Sequence, residues 1–80
     1  MYYVYLLKNK NGQYYIGYTV DLRRRIKEHF VGKVATTKRL SVEKLLYYEA
    51  YANEAAAKER ESKLKQFGSS YHGLIKRLRL

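Results

Sequence analysis

The chain begins with a strict alternation of side chains. Over residues 2–7, Tyr3, Tyr5 and Leu7 fall on one face and Val4 and Leu6 on the other, the period of two that a strand imposes. The cluster Asn9-Lys10-Asn11-Gly12 ends the run, and Asn11-Gly12 between two such runs predicts a hairpin. Residues 13–18 form the return strand, with Tyr15 and Gly17 on one face and Tyr14, Ile16 and Tyr18 on the other. Tyr5 and Tyr15 can then share one side of the sheet, and Gly17 leaves space beside them for a backbone or a ligand. The period next lengthens. Leu22, Ile26 and Phe30 recur every four residues, which predicts a helix over 21–30 with one buried stripe and Asp21 as its N-cap. Residues 32–43 read as a loop and 45–51 as a third strand. Asn53 caps a second helix, with Glu54 in its first turn, Lys63 and Lys65 in its last, Ala57, Leu64 and Phe67 inward, and Gly68 as C-cap. Residues 71–80 predict a short third helix with Leu74, Ile75 and Leu78 inward. The order β-β-α-β-α-α gives an α+β fold, a small three-stranded antiparallel sheet flanked by helices.

Composition narrows the function. Eighty residues, 46% hydrophobic, suffice for one domain over 1–80 with one modest core. Cysteine is absent, which excludes a disulfide framework and thiolate metal sites. The N-terminus lacks the form of a signal peptide and no apolar run reaches membrane-spanning length, so the expected location is cytoplasmic. Seventeen Lys and Arg against seven Asp and Glu give a formal charge of +10. So strong a charge on so small a body favours a polyanionic partner, nucleic acid first. A membrane surface fits less well, because no long basic helix exposes large apolar residues. Arg23, Arg24, Lys27, Lys33, Lys38 and Arg39 are the candidates for phosphate contact, with no base-reading role implied.

Candidate chemistry gathers near the first helix. Arg25 and His29 are four apart and share a face at the edge of its apolar stripe, close to the strand that carries Tyr15. Taken singly, each reads as an ordinary residue: a core tyrosine, a surface arginine, a helix-edge histidine. Their joint pattern is more specific. Tyr3-Val4-Tyr5 followed by Tyr15-Ile16-Gly17 resembles the paired tripeptides of the GIY-YIG nucleases, and Tyr5, Tyr15 and Arg25 stand ten residues apart in turn. Residues 57–65 resemble that family's second helix, where a glutamate precedes a leucine–lysine run; here it is Glu61 before Leu64-Lys65. The resemblance spans nearly the whole chain and is closest to small stand-alone bacterial members, related to the module of the excision-repair nuclease subunit. Tyr3 replaces the usual glycine, and Tyr18 stands where repair relatives often carry lysine. No separate DNA-recognition domain is expected within these 80 residues.

The resemblance implies a metal-dependent endonuclease that hydrolyses DNA, with a place in DNA repair among the functions of its kin. It assigns the metal to Glu61, ahead of Glu54 and Glu59, with Mg²⁺ as cofactor and Mn²⁺ as substitute. It puts Arg25 on the phosphate and gives Tyr5 or Tyr15 the task of activating water. An unperturbed tyrosine titrates near about 10, so either needs positive charge nearby. His29 aligns with a histidine that assists proton transfer in some relatives. The products implied carry 5′-phosphate and 3′-hydroxyl ends. Two alternatives stand beside this: a nucleic-acid-binding module with little or no cleavage, and a nuclease active only with a partner protein that supplies specificity.

Overall fold

A computed structural model of the chain describes residues 1–31 and 42–80. Three strands, β1 (Tyr2–Asn9), β2 (Tyr14–Thr19) and β3 (Val42–Tyr51), alternate with helices α1 (Leu22–Phe30), α2 (Glu54–Lys65) and α3 (Ser69–Arg77) in the order β-β-α-β-α-α. The sheet is antiparallel, in the order β2-β1-β3, so the strand made first lies in the middle. The expected α+β architecture is the one observed. β3 begins at Val42, earlier than the loop expected over 32–43 allows; the rest of that loop lies outside the described residues.

The turn between β1 and β2 is organised by Asn9 as much as by Asn11-Gly12. The buried Asn9 side chain accepts from the backbone N–H groups of Asn11 at 3.0 Å and Gln13 at 2.7 Å, a use of Asn typical of turns. Gly12 sits at φ 82°, where a Cβ is strained.

The central strand divides two layers. On one face Val4 and Leu6, with Ile16 of β2, pack against Ala57 and Leu64 of α2 and Leu74 of α3. Tyr14, Tyr18, Tyr47 and Tyr51 rim this core with their rings. Glu49 sits at its edge and accepts from Arg60, from the Tyr47 hydroxyl at 2.7 Å and from the Tyr51 hydroxyl. Burial alone would raise the Glu49 carboxyl, but the bonds from Arg60, Tyr51 and Tyr47 hold it below its usual range. On the other face Tyr5 and Leu7 are buried, Tyr5 against His29 of α1. A bulge between Leu6 and Leu7 re-phases β3, pairing Tyr47 with Leu6 but Leu45 with Leu7. Leu45 and Tyr48 therefore both reach the α1 side.

Four expectations about the helices are corrected. Phe30 is 47% exposed, whereas His29 is the buried residue of α1. At about 100° per residue, the position seven after Leu22 returns to its face, and the position eight after has rotated about 80° away. Phe67 is 52% exposed rather than inward. α2 ends at Lys65, Phe67 itself takes the left-handed position at φ 54°, and Gly68 is the N-cap of α3 instead of the C-cap of α2. The Phe67 ring rests edge-on against Tyr71, 4.8 Å between centroids. α3 starts and ends earlier than the expected 71–80, with Leu74 buried and Ile75 and Leu78 packed beside it.

Candidate active site

The site is built where β1, β2 and α1 meet. The register sets Tyr5 opposite Gly17 and Leu7 opposite Tyr15. The space left by Gly17 is filled, contrary to expectation. The Tyr5 ring lies across it, and a Cβ built on Gly17 would stand 2.2 Å from the ring carbon that carries the hydroxyl. Gly17 thus serves the tyrosine, not an incoming ligand. Tyr5 is 1% exposed, its ring 6.4 Å from that of Tyr15.

α1 is aimed by its first residues. The Thr19 hydroxyl accepts from the Asp21 N–H at 3.1 Å and donates to the Asp21 carbonyl at 3.2 Å. The Asp21 carboxylate accepts from the Arg24 N–H at 3.1 Å, the capping bond expected of it. From this start Arg25 and His29 fall over the tyrosines. The His29 ring is 5.5 Å from Tyr5 and 5.2 Å from Tyr15, edge-on to both. His29 Nε2 and the Tyr5 hydroxyl are 2.7 Å apart. Arg25 holds Glu28 at 3.3 Å, and its positive charge acts on the Tyr5 hydroxyl.

The Tyr5 hydroxyl donates to His29 Nε2 when the imidazole carries its proton on Nδ1. Burial first, and the Arg25 charge second, push His29 down to about 4 against the opposing pull of Glu28. Tyr5 is pushed up to about 12, mainly by burial, with Tyr15 and Glu61 adding to the rise and Arg25 opposing it. At neutral pH the pair is a phenol and a neutral imidazole.

Glu61 approaches from α2. Its carboxylate is half-buried and pairs with Lys65 at 3.1 Å, and its charge adds slightly to the rise of the Tyr5 pKa. The lesser candidates are occupied elsewhere: Glu54 accepts from the Tyr18 hydroxyl at 2.9 Å, and Glu59 pairs with Lys63 on the exposed side of the helix. Among the described residues no three His, Asp or Glu side chains converge as a metal cage. The structure thus brings Tyr5, Tyr15, Arg25 and His29 into contact, with Glu61 within electrostatic reach. Arg23, Arg24 and Lys27 are exposed along α1, while Lys33, Lys38 and Arg39 lie outside the described residues.

Residues 1–72 match the GIY-YIG catalytic domain. The chain belongs to the GIY-YIG family. A UPF0213 protein of Streptococcus pneumoniae serotype 4 is 46% identical over 66 residues, 80% of this chain and 66% of its own length. A UPF0213 protein of Halobacterium salinarum is 36% identical over 67 residues, 82% of this chain and 87% of its own. The chain spans just under two thirds of the pneumococcal relative. The solution NMR structure of a UPF0213 protein from Bacillus halodurans superposes with a TM-score of 0.60 at 33% identity, over 98% of this chain and 85% of that one. The family is a nuclease superfamily, and this chain is one of its small members. Among the described residues no helix is long and apolar enough to cross a membrane.

Three residues of this GIY-YIG site escape a reading by motif. Thr19 aims α1, and the signal was present in the succession Thr19-Val20-Asp21, two capping side chains in a row. Glu28 tethers Arg25, and its three-residue spacing was visible in the sequence. Tyr48 stands directly opposite Tyr5 on β3, a pairing that needs the register of a strand remote in sequence.

Proposed function

We propose that this chain is a metal-dependent endonuclease that hydrolyses DNA phosphodiester bonds, acting in the cytoplasm. The observation that carries the reading is the buried Tyr5–His29 hydrogen bond within reach of the Arg25 charge. Phosphodiester hydrolysis needs a water stripped of a proton and charge placed where the phosphate becomes more negative. Arg25 offers its guanidinium fork to the phosphate oxygens. A water against the Tyr5 oxygen gives up a proton there as the Tyr5 proton passes to His29 Nε2. Burial first, and Arg25 second, depress His29 in the resting site; a phosphate that neutralises Arg25 removes the second of these and makes the imidazole a better acceptor. Tyr15 packs against His29 and keeps it oriented.

Glu61 supplies a single carboxylate, a donor set that fits Mg²⁺, which keeps most of its waters and is shared with substrate phosphate; Mn²⁺ has the same preference for oxygen. A cation bound there stabilises the leaving oxygen as a Lewis acid. Arg23, Arg24 and Lys27 add phosphate contacts along α1. By likeness to the family the cut leaves 5′-phosphate and 3′-hydroxyl ends.

Nicking of supercoiled plasmid with Mg²⁺ or Mn²⁺, beside Glu61→Ala purified identically, tests the reading. Cutting by the wild type and none by the variant is expected. Equal cutting by both refutes the role of Glu61. DNA binding without cutting by either protein, across plasmid, branched and single-stranded substrates, turns the reading to a binding module.

A further inference from the structure

The face of the sheet that carries Tyr5 continues into an open groove which the chemistry above does not use. It measures about 560 Å³ and runs between α1 and the sheet, a size typical of small-ligand sites. Tyr3 and Tyr48 form its floor and wall, Leu45, Ile26 and Val20 add apolar surface, and Arg23 stands on its rim. Tyr48 is 53% exposed and is braced edge-on by Tyr3, 6.3 Å between ring centroids at 62°. An aromatic ring held at a fixed angle with a face open to water is a stacking surface already in place.

We propose that this groove is a nucleobase-stacking subsite for single-stranded DNA, with Tyr48 as the stacking ring. The inference rests on the nuclease reading, and three features select this occupant. Charge is the first: Arg23 lines the groove and Lys27 is exposed one turn further along the same helix, while the carboxylate of Asp21, the one acid among the lining residues, is engaged by the Arg24 N–H at the start of α1. A π-face beside a guanidinium matches a base joined to its phosphate. Position is the second feature. Tyr48 is the direct cross-strand partner of Tyr5, and such partners stand about 5 Å apart at Cβ. A base on Tyr48 therefore belongs to a nucleotide next to the phosphate that meets Arg25. Shape is the third. A base stacked and paired within a duplex cannot enter a groove between a helix and a sheet, whereas an unpaired base can be splayed into it. The groove thus makes the enzyme select strands that are unpaired beside the cut.

Fluorescence anisotropy with an end-labelled 12-nucleotide single strand and a duplex of the same sequence, in EDTA so that nothing is cut, tests the assignment. The wild type is expected to bind the single strand more tightly than the duplex. Tyr48→Ala should weaken single-strand binding by about tenfold, the loss of one base–ring stack. Duplex binding should stay within about twofold and the salt slope should be unchanged, since no phosphate contact is lost. Tyr48→Phe keeps the ring and should bind as the wild type. Unaltered single-strand binding by Tyr48→Ala, or an equal loss on both DNAs, overturns the subsite while leaving the nuclease reading intact. Failure of the wild type to bind either DNA overturns both.

Discussion

Gly17→Ala puts the central contact of the site under direct strain. The added methyl would fall 2.2 Å from Tyr5 Cζ and 2.3 Å from its hydroxyl oxygen, well inside the 3.5–4.0 Å at which carbons attract. The ring cannot swing aside freely, because Tyr5 is buried and its hydroxyl is held by His29 at 2.7 Å. Something must move by more than 1 Å. Overpacking of this kind costs about 1–3 kcal/mol, and each kcal/mol lowers the Tm of a domain this small by about 4–8 °C. The ring that moves carries the hydroxyl proposed to deprotonate water, and a misplacement of about 1 Å costs about 100-fold in rate. Thermal unfolding followed by circular dichroism, with plasmid nicking measured well below the variant's Tm, reads both effects. A Gly17→Ala protein with wild-type Tm and wild-type nicking would refute the account of Gly17 as the seat of Tyr5. Loss of nicking without loss of stability would mean that the ring relocates at no cost, and the packing argument would fail while the catalytic one stood.

Two further outcomes are expected. His29 is depressed to about 4, by burial and then by Arg25, against about 6.5 in an unfolded chain; the stability this represents is complete above the unfolded value and is lost as the pH falls toward 4. Urea unfolding should show a loss of about 2 kcal/mol between pH 6.5 and 4.5, and His29→Gln should flatten that slope, while a slope that survives in the variant assigns it to other groups. Glu49→Ala, which strands Arg60 and two tyrosine hydroxyls, should cost about 3 kcal/mol in the same assay, whereas Glu61→Ala loses only an i,i+4 pair with Lys65 worth a few tenths; comparable losses from the two would show that the Glu49 network is not the stronger tie.

Much of this fold is written in local signals. The alternation of Tyr3, Tyr5 and Leu7, the caps Asp21 and Asn53 and the turn at Asn11-Gly12 each act over a few residues, and each appears where its physics puts it. Tyr5, Tyr15, Arg25 and His29 meet because they lie on consecutive elements joined by a short turn. What was not legible depends on rotation or on distant pairing. Counting every four residues picks Phe30 for the core of α1, but the helix turns slightly too fast for that, and the polar His29 takes the place. Gly68 looks like the end of α2 by type, yet it opens α3 because Phe67 accepts the left-handed turn before it. On one strand alone Gly17 reads as open space; only pairing with β1 shows whose ring fills it. Tyr48 takes its place from pairing with β1, and Leu45 joins it in the groove through a bulge in β3; no local rule announces either.

The position of β1 in the middle of the sheet has a consequence for how the molecule comes into being. During synthesis β1 meets β2 first, through a turn that Asn9 closes, and hairpins form in about 1–10 μs. The Tyr5 ring can thus find Gly17 while the rest of the chain is still being made. β3, whose Tyr48 pairs with Tyr5 from about forty residues away, must wait for a much larger loop to close. Until it does, one whole edge of a tyrosine-rich strand stands without a hydrogen-bonding partner, a template for pairing with another chain. A lone two-stranded hairpin is marginal in water. The arrival of β3 therefore does more than finish the sheet: it ends the interval in which a nascent chain is most exposed to aggregation.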